Sequence, residues 1–309
     1  MRARLLVYLL ITGVTLQLIH VGSVFAYDPT PARVAGRRLL VNGSAFTIRG
    51  VGYAPVPICE HPASLPLGDY FTSDYSTIYQ RDLPLLRSMG ANTLRLWGWN
   101  NAADHSDFMD EAYNSGIQPI YIIVTFWMGP ITYGDLCHDA TRERAKTDFR
   151  EMVSVAKTHP AVLMWSIGNE LNADWQYGGQ LECLFSLVNE MALKAHEEEG
   201  AAYHPVTTPL LAHDLVNTIQ QYDSGVAALD IWSANVYSGM SFGTIFSDYE
   251  GASSKPFAIL EYGIDAYDDV NGHEYGDTQA TYAEYLWTEI EENAAVCVGG
   301  SIMAYSDEW

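Results

Sequence analysis

Cations are scarce in this sequence. The 309-residue chain sets only 16 lysines and arginines against 38 aspartates and glutamates, a formal charge of −22. So acidic a surface repels nucleic acid and anionic polymers and leaves a neutral molecule as the natural partner. Long apolar runs are scarce too: beyond the first 26 residues, no stretch is long enough to span a bilayer. No Gly-rich nucleotide fingerprint follows any apolar run, and the nine histidines are scattered without a metal-binding spacing such as His-Glu-x-x-His. No cofactor and no metal are expected. Repeats, linkers and low-complexity tracts are absent as well, which is the pattern of one large domain.

What is present begins with "MRARLLVYLLITGVTLQLIHVGSVFA", residues 1–26. Arg2 and Arg4, an apolar run and a small-residue site at Val24-Phe25-Ala26 have the form of a secretory signal. Its removal takes away two arginines and moves the charge from −22 to −24. A secreted location, with cell-surface or cell-wall association open, follows, with no membrane insertion after cleavage. Four cysteines remain, Cys59, Cys137, Cys183 and Cys297. They match no zinc signature, an even number suggests disulfides, and three pairings are open. Asn42-Gly43-Ser44 is the one glycosylation sequon and sits in a turn between two β-like runs.

From residue 46 onward, β-like runs alternate with amphipathic helical patterns. The runs cover 46–54, 92–98, 118–127, 162–170, 206–211, 230–238, 256–264 and 299–309. Most are continuously apolar, as parallel strands covered on both faces should be. Between them, Leu184, Leu187, Val188 and Met191 recur at helical spacing, as do Phe149, Met152, Val153 and Ala156. Gly90, Gly116 and Gly200 read as helix stops. The segment 214–228 carries the weakest helical pattern, and Pro84 is expected to interrupt the first helix.

Eight βα units imply an α/β fold of the (β/α)8 TIM-barrel type spanning residues 27–309, rather than an open doubly wound sheet. An N-terminal hairpin turned at Asn42-Gly43 is expected to close the bottom of the barrel. The chain stops on the eighth run with no helical pattern after it. That would leave apolar surface beside strands eight and one, as in a fragment or an incomplete gene model.

Barrel enzymes carry their chemistry at the C-terminal strand ends. Those ends hold Tyr53, Arg95, Trp97, Trp127, Asn169, Glu170, Tyr237, Glu261 and Tyr305. Glu170 closes run four and Glu261 run seven, which face each other across a small barrel. Two carboxyl groups about 5–5.5 Å apart can flank one glycosidic bond, one protonating the leaving oxygen and the other attacking the anomeric carbon. Helix capping by Glu170 and an ion pair between Glu261 and Arg95 are the structural alternatives. Of the tryptophans, Trp97, Trp99, Trp127, Trp175 and Trp309 lie where sugar rings could stack, whereas Trp165, Trp232 and Trp287 lie in core patterns.

"WSIGNELN", "ILEYG" and "GGSIMAYSDEW" resemble the strand-four, strand-seven and strand-eight motifs of glycoside hydrolase clan A. "RGVGYAP" and "RDLPLLRSMGANTLRLWGWN" further resemble the family 72 β-1,3-glucanosyltransferases, while "WSIGNELN" is closer to families 2 and 5. The resemblance covers residues 46–309. It implies a retaining TIM-barrel β-glycosidase or transglycosidase acting on an oligo- or polysaccharide, with β-glucan the first expectation. Glu170 would be the acid/base and Glu261 the nucleophile. Asn169 would bind the sugar 2-hydroxyl, Tyr237 would hold the nucleophile, and Tyr53 and Tyr305 would line subsites. Family 72 usually has cysteine after Glu-Tyr-Gly, where this chain has Ile264. A non-catalytic carbohydrate-binding barrel is the alternative.

Overall fold

The computed structural model describes residues 32–306. The signal-like residues 1–26 lie outside this range, as do Asp307, Glu308 and Trp309. Eight parallel strands close into a barrel: β1 Ile48–Gly52, β2 Thr93–Arg95, β3 Tyr121–Phe126, β4 Val162–Ile167, β5 Val206–Leu211, β6 Ile231–Asn235, β7 Phe257–Tyr262 and β8 Cys297–Ile302. Around them run α1 Ser76–Met89, α2 Ser106–Tyr113, α3 Asp139–Ala156, α4 Leu181–Glu199, α5 Leu215–Tyr222, α6 Ile245–Ala252 and α7 Gly276–Glu292. The expected barrel is what forms, and among the described residues no helix follows β8. No helix among them is long and apolar enough to cross a membrane.

All the strands but β5, which keeps its full run 206–211, are shorter than their apolar runs, because the ladder stops where the chain turns into the upper loops. Glycine makes the seam possible. A Cβ on Gly299 would stand 2.2 Å from the Ile48 carbonyl oxygen, and one on Gly50 would meet the Ser301 hydroxyl at 2.2 Å. These residues lie in the β8–β1 ladder, where Gly299 pairs with Ile48 and Ser301 with Gly50.

One core lies between barrel and helices, where Phe149, Met152 and Val153 of α3 and Leu184, Leu187, Val188 and Met191 of α4 are buried in the predicted helical pattern. The other fills the lower barrel. There Ala32, Leu39 and Val41 of the N-terminal antiparallel ribbon meet Ile123, Leu163, Ile231, Ala258 and Leu260, so the hairpin does close the bottom.

Two helix expectations shift. Pro84 sits inside an unbroken α1, on its solvent-exposed side, where water can satisfy the carbonyl left without a donor. Gly90 and Gly200 cap α1 and α4, but Asn114 in the left-handed conformation ends α2 two residues before Gly116. The segment 214–228 holds one short helix, α5.

Gly299 has φ +118° and no room for a methyl, whereas Gly43 has φ +78° with nothing within 4 Å. Gly43→Ala should therefore cost only the left-handed backbone penalty, about 1–2 kcal/mol. Gly299→Ala adds a backbone clash at the barrel seam and should cost on the order of 3 kcal/mol or more. Thermal or urea denaturation of the two variants checks this; equal losses would contradict the role assigned to the seam.

Candidate active site

The chain leaves β4 through an unusual turn. Gly168 (φ +63°) and Glu170 (φ +52°) are both left-handed. Gly168 must be glycine, since a Cβ would lie 2.4 Å from Leu171 Cδ1. For glutamate that conformation costs energy, and the surroundings overdetermine it. The Glu170 amide donates to the Pro209 carbonyl of β5 at 2.8 Å, and Gly168 donates to the Phe126 carbonyl of β3 at 2.9 Å. Gln176 Nε2 donates to the carbonyls of Asn169 (2.7 Å) and Glu170 (3.2 Å). A carboxylate stands at the end of this apolar strand because its backbone is bolted to both neighbouring strands.

Glu261 is positioned by an irregularity. The β7 ladder shifts register against β6 between Ile259 and Glu261, as bulges beside functional sites often do. Leu260 lies within that shift, and its carbonyl accepts from Arg95 Nη1 at 3.1 Å.

Arg95, at the end of β2, is fully buried. Its Nη1 donates to Glu261 Oε1 at 2.7 Å and to Asn235 Oδ1 at 3.1 Å, and its Nη2 donates to Asn169 Oδ1 at 2.6 Å. Asn235 Nδ2 in turn donates to Asn169 Oδ1 at 2.9 Å and to Glu170 Oε1 at 3.0 Å. Since Asn169 Oδ1 receives two donors, its NH2 remains as a donor that no described residue takes up. Tyr237, just past β6, donates its hydroxyl to Glu261 Oε2 at 2.9 Å.

The two carboxylates therefore differ in kind. Glu261 has one oxygen against a buried cation and the other against a phenol, while Glu170 receives only a neutral amide. Burial pushes the Arg95 guanidinium below its ordinary range, opposed first by the charge and hydrogen bond of Glu261. Burial of its phenol end and the Glu261 carboxylate push the Tyr237 hydroxyl up, so it stays a donor at any physiological pH.

Two residues expected to contact substrate lie behind the surface of the site. Arg95 and Tyr53 are both 0% exposed, so they build the site from behind. Tyr53 packs against Phe71 and Phe108 and donates to Asp82 Oδ2 at 3.0 Å; burial and the Asp82 charge push its phenol up. Tyr305, partly buried, donates to the other Asp82 oxygen at 3.4 Å, and Arg81 Nε meets that oxygen at 2.7 Å. The Arg-Asp pair of α1 thus clamps the ends of β1 and β8.

Trp97 is partly exposed, with the Arg95 guanidinium 4.8 Å from its ring centre. Trp127 is 56% and Trp175 71% exposed. Trp99 is taken up in its loop, stacked on His105 at 3.8 Å between ring centres, and His105 is bonded to Asp69. Trp165 and Trp232 are core residues as expected, and Trp287 packs against the core.

Asn235 is the participant that sequence reading missed. It lies in the run "DIWSANVYS", two residues before the Tyr237 selected there. The cysteines pair only in part: Cys137 bonds Cys183, while Cys59 (exposed) and Cys297 (buried) are free.

With this geometry in place, comparison with known proteins adds the family. Residues 32–299 match the family described as glycosyl hydrolases family 2, TIM barrel domain. The 1,3-beta-glucanosyltransferase GAS5 of Saccharomyces cerevisiae is 25% identical over 86% of the chain and 54% of its own length. Beta-glucuronidase of Sus scrofa is 26% identical over 75% of the chain and 33% of its own length. The chain thus spans about half or less of these two relatives. Among solved structures, Bifidobacterium dentium beta-glucuronidase complexed with coumarin-3-O-glucuronide superposes with a TM-score of 0.66 at 20% identity, covering 91% of the chain and 44% of the other. ScGas2 in complex with compound 7 gives the same TM-score at 18% identity, covering 91% and 62%. The fold is shared with both groups, and the match over most of its length places the chain in the TIM-barrel domain of glycosyl hydrolases family 2.

Proposed function

We propose that this domain is a secreted, retaining β-glycosidase or transglycosidase acting on neutral β-linked glycans, β-glucan first. The observation that carries the reading is the unequal environment of the two carboxylates. Glu261, compensated by Arg95, is the ionised nucleophile. Its Oε2 is the attacking atom, because among the described residues the only bond that oxygen accepts comes from the half-exposed Tyr237. Glu170, with no cation bonded to it, holds the proton for the leaving oxygen. When Glu261 Oε2 bonds the anomeric carbon, the leaving group departs with the Glu170 proton. An acceptor hydroxyl then gives its proton to Glu170, attacks that carbon and releases Glu261. Water as acceptor completes hydrolysis; a sugar completes transfer. The unclaimed NH2 of Asn169 suits a sugar hydroxyl.

Charge supports a neutral substrate. The loops from each barrel strand to the next helix, and residues 303–306 after β8, contain no lysine or arginine. The Nη1 and Nη2 groups of Arg95 are already directed at Glu261, Asn235, Asn169 and Leu260. A sugar carboxylate would meet acidic loops that carry no lysine or arginine to pair it. Secretion is supported by the Cys137–Cys183 bond and by the sequon at Asn42, which lies in an exposed turn as glycan attachment requires.

Incubation of the wild type with β-linked glucose oligosaccharides, followed by mass and anomeric NMR, should show cleavage or lengthening with retained β-configuration. Glu261→Gln should abolish both. Glu170→Gln should lose oligosaccharide cleavage yet still release a good phenolate leaving group, which needs no proton. Binding without turnover in the wild type would refute the enzyme reading and favour a binding barrel. In a parallel assay neutral β-glucosides should be turned over and β-glucuronides should not; the reverse preference would refute the charge argument.

A further inference from the structure

The N-terminal ribbon is fastened to the helices at one end only. At its first turn Arg37 Nη2 donates to the Glu250 carbonyl at 2.9 Å and to the carbonyl of Ser253, at the end of α6. At its other turn Asn42 (φ +51°) and Gly43 (φ +78°) reverse the chain. Among the described residues, the stretch 42–45 makes no hydrogen bond to the barrel or its helices.

That turn borders a groove of about 530 Å³ between the ribbon and the segments leading into β2 and β3, a size ordinary for a small-molecule site. Asn42 itself lines the groove, with Phe46, Thr47, Arg49, Gln118 and Pro119 among its neighbours. Its chemistry departs from the rest of the chain. No described aspartate or glutamate lines it, although the sequence holds 38. Phe46 and Pro119 give apolar surface. The Gln118 amide and the Thr47 hydroxyl have no partner among the described side chains, and Arg49, whose Nε donates to the Gly90 carbonyl at 3.1 Å, keeps its Nη groups unspent. Such exposed groups are ordinarily left to water. Here they share one concavity with the chain's one glycosylation sequon, Asn42-Gly43-Ser44, all of it exposed.

We propose that Asn42 carries an N-linked glycan whose first sugars lie in this groove and fasten the free end of the ribbon to the bottom of the barrel. The ligand is an N-acetylglucosamine core, whose ring faces suit Phe46 and Pro119 and whose hydroxyl and acetamide groups suit Gln118, Thr47 and Arg49. The bond forms between Asn42 Nδ2, which loses a proton, and the anomeric carbon of a lipid-pyrophosphate-linked oligosaccharide, from which lipid pyrophosphate departs. Because the sugar is tethered at the rim, its effective concentration is high, and contacts too weak to hold a free sugar suffice. The inference rests on the secreted half of the reading above and not on its chemistry.

The chain secreted from a eukaryotic host should show a glycan on Asn42 by peptide mapping. An endoglycosidase that cuts within the glycan core should release it about tenfold more slowly from the native than from the denatured protein. Ser44→Ala removes the sequon yet keeps the left-handed Asn42, and it should melt about 3 °C lower, as a docked-to-free ratio of about ten requires. With Arg49→Ala and Gln118→Ala together, the glycan should be cut equally fast in both states and should raise the melting point no further than the matching Ser44→Ala form. A bare Asn42, a glycan equally labile in native and denatured wild type, or a melting gain that survives loss of the lining overturns the inference. Stabilisation of the Ser44→Ala form by inorganic phosphate, with no effect of the glycan, would instead give the groove to an anion held by Arg49 and Arg87. Activity is read separately: turnover without a glycan at Asn42 refutes only this inference, and a seated glycan on an inactive chain refutes only the chemistry.

Discussion

A guanidinium group with no exposure to water sits at the mouth of this barrel, and the rest of the site is arranged to satisfy it. Removing a cation from water costs several kcal/mol even after relaxation, and it is tolerated only where anionic and polar partners converge with good geometry. Arg95 finds them on three other strands or strand ends: Glu261 and the Leu260 carbonyl on β7, Asn235 on β6 and Asn169 past β4. A lysine could not serve, because a single ammonium carries three donors on one nitrogen and cannot reach four acceptors spread over three strands. Positioning the charge therefore also positions the strand ends. Both carboxylates acquire their relation to each other through Arg95 and Asn235 rather than through direct contact.

The barrel divides its work by height. Its lower part is apolar, closed by the N-terminal ribbon and filled mostly with aliphatic side chains. Its upper rim stores the irregularities: a left-handed glutamate, a glycine that admits no Cβ, and a register shift in β7. Such features cost stability and persist only where the scaffold outweighs them. The clamp of Asp82 on Tyr53 and Tyr305 belongs to the same economy, since it joins α1 to both sides of the β8–β1 seam.

The parts of this arrangement that follow a period were legible in the sequence. Strand order came from alternation of apolar runs and helical patterns, and the carboxylates came from their places at the ends of runs four and seven. What escaped depended on where a strand stops. "DIWSANVYS" looks uniform, but the ladder ends at Asn235, so a choice of its last residues selects Tyr237 and passes over the asparagine that links both glutamates. Tyr53 and Arg95 were placed at the correct strand ends, but position does not reveal burial. Phe71 and Phe108, which enclose Tyr53, are distant in sequence. The Cys137–Cys183 pair was one of several possibilities until the loops after β3 and β4 were seen to adjoin.

The neighbours of this chain show how far the fold alone can be carried. One barrel superposes at equal TM-score on a protein bound to a glucuronide and on ScGas2, so architecture does not select the sugar. Selection lies in the loops above the strands. In this chain those loops carry no lysine or arginine of their own, and the buried Arg95 beneath them is already matched by a carboxylate and three neutral oxygens. The acidity seen first in the composition is therefore distributed with a direction. Apart from Arg95, the described lysines and arginines belong to the helices, the N-terminal ribbon, β1 and the turns that lead into β4 and β7, and Arg81 reaches the upper rim through Asp82. The upper face offers hydrogen-bonding groups and exposed aromatic rings at the strand ends, among them Asn169, Tyr237 and Trp127.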